Sequence, residues 1–273
     1  MTEQLLERPA AQQMNTKLNG TVLYEKDGHS VRIFSELVSG EGIQANQLYI
    51  QHGDEAAIFD PGGNLTYQPL YTAISRLTSI RKLKYVMATH QDPDIISSLD
   101  KWLMYTDAKI VISRLWQRFL PHLVPAYIAE KNEGRIIPIP DQGINLPFAD
   151  SKIKALPAHF LHSVGNFHFY DPVSKILFSG DVGASLTNTD HGRSVQNFER
   201  HVAKMIGFHQ RYMVSQKACQ LWVNMIRQLD VHMIVPQHGR PFVGYDMVNQ
   251  FLDWFEHLQC GVDLLTSEFY QLP

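Results

Sequence analysis

Four short segments of this chain hold residues whose types and spacing could bind metal or move protons. They are THQDPD (89–94), AHFLHS (158–163), SGDVG (179–183) and PQHGR (236–240). Each follows an apolar run, and strand-to-loop junctions are where functional groups collect, because the strand fixes the backbone while the loop leaves room for a ligand. The candidates are His90, Asp92, Asp94, His159, Asp181 and His238, three imidazoles and three carboxylates. Imidazole is the commonest transition-metal ligand and the usual acid/base group near neutral pH. Each residue alone has a plainer role open to it. Asp92 is placed to cap a helix, Asp94 to favour its first turn, Asp181 to stabilise a turn, and His159 to be a satisfied core histidine. Their common position after apolar strands argues for one site.

The elements that must position them are legible as short apolar runs. SVRIF (30–34), QLYIQ (47–51) and AAIF (56–59) predict strands, the last ending in the Asp60-Pro61-Gly62-Gly63 turn. Leu70, Ala73, Ile74 and Leu77 recur at helical spacing over 67–79. KYVMAT (84–89) predicts a strand that stops at His90. Asp92-Pro93 then starts a helix with Ile95, Ile96, Leu99, Trp102 and Leu103 on its buried face. KIVIS (109–113), RIIPI (135–139), KIKAL (152–156), NFHFY (166–170), KILFS (175–179) and VHMIV (231–235) predict further strands. Helices are expected over 196–211, 214–229 and 246–259. Two halves of similar plan suggest two sheets covered by helices.

Composition removes several classes of function. Lys and Arg total 24 against 27 Asp and Glu, a formal charge of −3 that gives no bulk attraction to nucleic acid or an anionic membrane. The first twenty residues are polar without an apolar stretch, so no signal peptide is expected. No apolar run approaches the roughly 18 residues of a membrane span. Cys219 and Cys260 lack CxxC spacing and read as two reduced thiols of a cytoplasmic protein.

HxDxD, a later lone His, the Asp of SGD and the His of QHG together resemble the metallo-β-lactamase superfamily, whose members carry HxHxDH or HxExDH, a later His, a bridging Asp and a final His. The resemblance runs from about Ser30 to Phe255 and includes the FDPGG turn. It implies a four-layer αββα sandwich, with 1–20 a polar N-terminal extension and 21–273 a single diiron domain. Asp92 stands where the zinc hydrolases have His and flavodiiron proteins have Glu, so the chain is similar to the diiron variant. Carboxylate oxygens suit iron or manganese better than an imidazole-rich set does. Three Asp carboxylates against two ferrous ions leave a single positive charge, which one hydroxide would cancel. The resemblance gives one iron His90, Asp92 and His159 and the other Asp94 and His238, with Asp181 bridging. Ile95 stands where the family has another His, which leaves the second iron one ligand short.

Among such proteins the chain resembles the stand-alone oxygen-binding diiron proteins associated with bacterial chemotaxis. That implies two non-haem irons without flavin, dioxygen or nitric oxide as ligand, a homodimer, and a chemotaxis receptor or kinase, or a redox protein, as partner. The expected role is an oxygen sensor or carrier. The alternatives are an oxygen or nitric oxide reductase fed by a separate redox partner, and a zinc hydrolase, against which Asp92 and Ile95 argue. His162 occupies a place where flavodiiron proteins have an acidic residue, and reads as a group beside the metals or lining their pocket. Tyr212 resembles a family tyrosine whose phenol could hydrogen-bond a bound oxygen species. Asp60 reads as the turn aspartate, and the remaining histidines (29, 52, 122, 168, 191, 201, 209, 232 and 257) as structural.

Overall fold

The computed structural model describes residues 19–123, 134–185 and 193–272. Residues 1–18 of the polar N-terminal segment and His191 lie outside them. The first sheet has seven strands in sequence order: β1 (Thr21–Lys26), β2 (His29–Phe34), β3 (Gln47–His52), β4 (Glu55–Phe59), β5 (Leu83–Met87), β6 (Lys109–Ser113) and β7 (Ile136–Ile139). Pairing is antiparallel from β1 to β4 and parallel from β4 to β7. The switch follows from the connections: tight turns join β1 to β2 and β3 to β4 and a longer loop joins β2 to β3, whereas helices carry the chain back between the later strands.

The second sheet has six strands, β8 (Ile144–Phe148), β9 (Ser151–Pro157), β10 (Phe167–Asp171), β11 (Ile176–Phe178), β12 (Met233–Val235) and β13 (Phe242–Val243), in the order 13-12-11-10-9-8. Helices α1 (Asn64–Leu77), α2 (Pro93–Ile96), α3 (Leu99–Tyr105) and α4 (Arg114–Gln117) accompany the first sheet. Helices α5 (Phe198–Tyr212), α6 (Gln216–Ile226) and α7 (Tyr245–Glu256) accompany the second.

Three cores make the layers. Val31, Leu48, Ile50, Phe59, Phe169 and Phe178 pack between the sheets. Leu70, Ile74, Ile95, Leu99 and Trp102 pack under the first sheet's helices. Trp222, Phe242, Phe251 and Phe255 do so under the second's. Alternate residues of one strand enter different cores: Phe169 faces the other sheet while Tyr170 faces the helices. The result is the αββα sandwich.

The helix expected from Pro93 onward is two. It breaks at Ser97 and Ser98, where the Ser98 hydroxyl donates to the Gly62 carbonyl at 2.5 Å instead of letting the first helix continue. Strands β1, β8 and β13 were not expected. β1 has mixed, partly exposed residues, and β8 holds Pro147 as an outer strand of its sheet, where proline is tolerated.

Candidate metal centre

The strand ends that carry the site are the C-terminal ends of β4, β5, β11 and β12. Those of β5, β11 and β12 lead into His90, Asp181 and His238, and β4 leads into the Asp60 turn. Asp60 adopts φ +50°, and its carboxylate accepts the Thr89 N–H at 2.7 Å and the Thr89 hydroxyl at 2.8 Å. That hydroxyl lies 2.9 Å from His90 Nδ1. Having given its own proton to Asp60, it accepts from His90 Nδ1–H, which leaves the His90 Nε2 lone pair facing the site. Gly63 makes room for this arrangement: a Cβ there would stand 2.8 Å from the Pro93 carbonyl and 3.3 Å from the Asp94 Cα.

Asp92 sits at the N-cap position of α2, yet its side chain makes no capping hydrogen bond. Its backbone carbonyl receives Ile95 and Ile96 instead, and Pro93 at the first helical position needs no N–H partner. The carboxylate is therefore turned to the cluster, with Asp92 Oδ2 3.5 Å from His90 Nε2 and 3.3 Å from His162 Nε2. Asp181 Oδ2 lies 3.6 Å from His90 Nε2 and 3.1 Å from His162 Nε2. His90, Asp92, His162 and Asp181 each offer a donor atom to one group, all within 4.8 Å of one another.

A second group adjoins it. His238 Nε2 lies 3.4 Å from Asp94 Oδ2 and 3.6 Å from Asp181 Oδ1. The Asp181 oxygens thus divide, Oδ2 toward one set and Oδ1 toward the other. His238 Nδ1 donates to the Gln44 carbonyl at 2.8 Å, which aims Nε2 inward. Gln237 Nε2 holds Asp94 Oδ2 at 3.2 Å. Asn46 donates to the Pro236 and Gly239 carbonyls at 2.9 Å each, fastening the loop that carries His238. The Asp181 loop is held from below by His209, whose Nδ1 donates to Met205 O and whose Nε2 accepts the Gly183 N–H, both at 2.9 Å.

One expectation is corrected. His159 does not join the group: its Nε2 donates to the Asp141 carbonyl at 2.8 Å and its ring stands edge-on to Phe167. The histidine three residues on, His162, takes the place. A tight turn separates the two, closed by Phe160 N–H to Ser163 O and Leu161 N–H to Ala158 O. The turn carries the His162 ring inward, against Tyr212 (ring centres 5.3 Å apart) and His90 (4.9 Å). Tyr212, half exposed at the end of α5, also stacks on Phe208 at 4.7 Å. Ile95 is fully buried under the first sheet's helices. The HFLH spelling holds two histidines, and nothing in it distinguishes them. The supporting Thr89, Gln44, Asn46, Gln237 and His209 carried no spacing signal at all.

The electrostatics are those of a site built around cations. Burial pushes the Asp181 carboxyl up, but His90, His162 and His238 outweigh it and bring it down to about 2. Burial works against charge on His162, yet Asp181 and Asp92 raise it to about 10. His238 rises to about 9 under Asp94, Asp181 and the Gln44 carbonyl, against the same opposing burial. Protons on the imidazoles thus balance the carboxylates. His90 Nε2 and Asp181 Oδ1 are buried without hydrogen-bond partners, one in each group, an expensive arrangement that a metal ion in each group would relieve. Metal bonds of about 2.1 Å place neighbouring donor atoms roughly 3 Å apart, close to the spacing found here. Carboxylate and imidazole donors suit iron, manganese or zinc. The residues fit a metal centre.

A four-layer αββα sandwich with a His/Asp centre at its strand ends defines a metallo-β-lactamase-type metal protein. The chain matches the family model described as "ODP family beta lactamase" over residues 43–239, and it belongs to that family. A structure described as "Peroxy diiron species of chemotaxis sensor ODP" is similar at 40% identity, over 89% of this chain and 97% of that one, with a TM-score of 0.78. The apo state of chemotaxis sensor ODP from T. denticola is similar at 38% identity, over 90% and 97% of the two chains, with a TM-score of 0.77. The flavodiiron protein from Giardia intestinalis shares the fold, at 18% identity and a TM-score of 0.71; the match covers 87% of this chain and 59% of that one. Comparison with curated proteins finds no match. Among the described residues no helix is long and apolar enough to cross a membrane.

Proposed function

We propose that this chain is a non-haem diiron protein that binds dioxygen as a sensor or carrier in chemotaxis signalling. The observation that carries the reading is Asp181, whose two oxygens face separate His/Asp groups. His90, Asp92, His162 and Asp181 would hold one iron, and Asp94, His238 and Asp181 the other. Ferrous ions held by these residues would supply the electrons that dioxygen binding draws on.

The chain's own residues do the rest. Thr89 and Asp60 fix the His90 tautomer, and the Gln44 carbonyl fixes that of His238, so both Nε2 atoms stay available. Ile95, apolar where the resemblance expects a further histidine, is packed in the core under the first sheet's helices and offers no donor atom to the second metal position, which would have Asp94, His238 and Asp181 alone. Tyr212 and Phe208 wall the His162 side with aromatic surface. Relatives described as chemotaxis sensors support a signalling role, and the resemblance to flavodiiron proteins supports a homodimer, although the apolar face of α7 packs on the chain's own sheet.

Anaerobic protein loaded with ferrous iron, exposed to oxygen and followed in the visible range, tests the reading. A charge-transfer band at two irons per chain supports it, and its loss on removing oxygen supports binding over reduction. Iron-loaded protein that stays spectroscopically silent, or purified protein holding two zincs with esterase turnover, contradicts it.

A further inference from the structure

Cys219 and Cys260 are the only cysteines of the sequence, 41 positions apart, and the fold brings their Sγ atoms to 3.8 Å. Cys219 lies in the first half of α6, and Cys260 follows α7 at the head of the C-terminal segment. Both are fully buried in the core under the second sheet's helices. The thiols are unequal. The contact with Cys219 holds the Cys260 thiol below its ordinary value, against its own burial, while Cys219 itself is pushed up. That is the relation of an attacking thiol to a resolving one.

The segment that follows Cys260 is lightly held. Residues 262–272 are all exposed, and the segment is tied back by few bonds. The Val262 N–H reaches the Val214 carbonyl at 2.8 Å, and the Asp263 carboxylate accepts the N–H groups of Gln216 at 2.6 Å and Cys260 at 3.2 Å. An exposed segment with so few buried contacts opens locally at low cost, and Cys260 is the residue from which it leaves the core, so such opening begins beside that thiol.

We propose that Cys219 and Cys260 form a peroxide-reactive dithiol that closes to a disulfide. The Cys260 thiolate attacks one oxygen of hydrogen peroxide; the O–O bond breaks, and the leaving hydroxide takes a proton to become water. The resulting sulfenic acid is attacked at sulfur by Cys219. Its S–O bond breaks, and the hydroxide leaves as water with the Cys219 proton. The two sulfurs together lose two electrons, and one peroxide becomes two waters. The new bond ties the C-terminal segment to α6. The proposal is independent of the metal centre.

The test treats the purified full chain with hydrogen peroxide, quenches it, alkylates under denaturing conditions and maps peptides without reduction. The expected result is a mass loss of about 2 Da, the two hydrogens of a dithiol, with a Cys219–Cys260 cross-linked peptide that dithiothreitol reverses. In Cys219→Ser, Cys260 should instead accumulate as a dimedone-trappable sulfenic acid. Thiols that remain fully alkylatable, or sulfinate at Cys260 without a cross-link in the wild type, would overturn the proposal. If Cys219→Ser does not fold, the wild-type peptide map decides alone.

Discussion

His162 and His159 make the sharpest contrast at the residue scale, because they share one tripeptide spacing and face different surroundings. His162 Nε2 lies within 3.3 Å of both Asp92 and Asp181, whereas His159 is spent on a backbone carbonyl. His162→Gln should therefore weaken binding of the first metal by 10-fold or more, on the order of 10–100-fold, and His159→Gln should leave it nearly unchanged. Isothermal titration with ferrous or zinc ion measures both. Thr89→Val keeps the shape but removes the hydroxyl between Asp60 and His90; an affinity loss of the same order, about 10–100-fold, is expected. The raised imidazoles set a pH dependence. With His162 at about 10 and His238 at about 9 in the metal-free protein, both are protonated at neutral pH. A metal must displace those protons, so affinity should rise with pH and level off above the higher value, with proton release on binding. Titration in buffers of different ionisation enthalpy counts the protons; no release at neutral pH would contradict the charge balance described.

At the scale of elements, the strands that end in site residues were legible because their apolar runs stop at a polar or turn residue. KYVMAT ends at His90 and AAIF at the Asp-Pro-Gly-Gly turn, and KIVIS, though it carries no site residue, coincides with β6. Asp92-Pro93 marks a helix start in the sequence and in the fold. The capping role weighed for Asp92 was not taken up, because the carboxylate that could cap is turned to the cluster. The helix break at Ser97 and Ser98 was hidden, since it depends on a carbonyl 36 residues away. His162 was equally hidden, because a turn and not a periodicity aims it. Gly63→Ala tests the close approach of two elements. Its Cβ would meet the Pro93 carbonyl at 2.8 Å, so α2 must shift, at a cost of about 1–3 kcal/mol in stability with weakened metal binding at Asp94. Denaturant unfolding with and without metal separates the two effects.

Across the whole molecule, the two sheets are joined at the end opposite the metal centre by a separate polar clasp. His29 Nε2 lies 2.8 Å from Asp171 Oδ2, and His29 Nδ1 lies 2.9 Å from His52 Nδ1. His52 Nε2 reaches Asp150 Oδ1 at 3.0 Å. Asp171 also accepts from Ser174 and the Val173 N–H. Burial pushes its carboxyl up, but His29 and Ser174 more than offset this and hold it below the ordinary value. A depressed carboxyl contributes stability above its unfolded pKa, and that contribution disappears as pH falls through the folded value. Asp171→Asn should cost about 1–3 kcal/mol by weakening buried hydrogen bonds to a charged group, and should flatten the acid limb of stability against pH. Metal stoichiometry should not change, since the clasp and the centre lie at opposite ends of β11. The mutual pairing of His29 and His52 is not legible in the sequence, because it joins strands through an antiparallel register and reaches a different sheet.

The division of Asp181 between two metal positions is tested most directly by a crystal structure of iron-loaded protein with data collected at the iron absorption edge. Two anomalous peaks are predicted, one on each side of the Asp181 carboxylate, one bonded to His90, Asp92 and His162 and the other to Asp94 and His238. A single peak, or a peak bonded to His159 in place of His162, would contradict it.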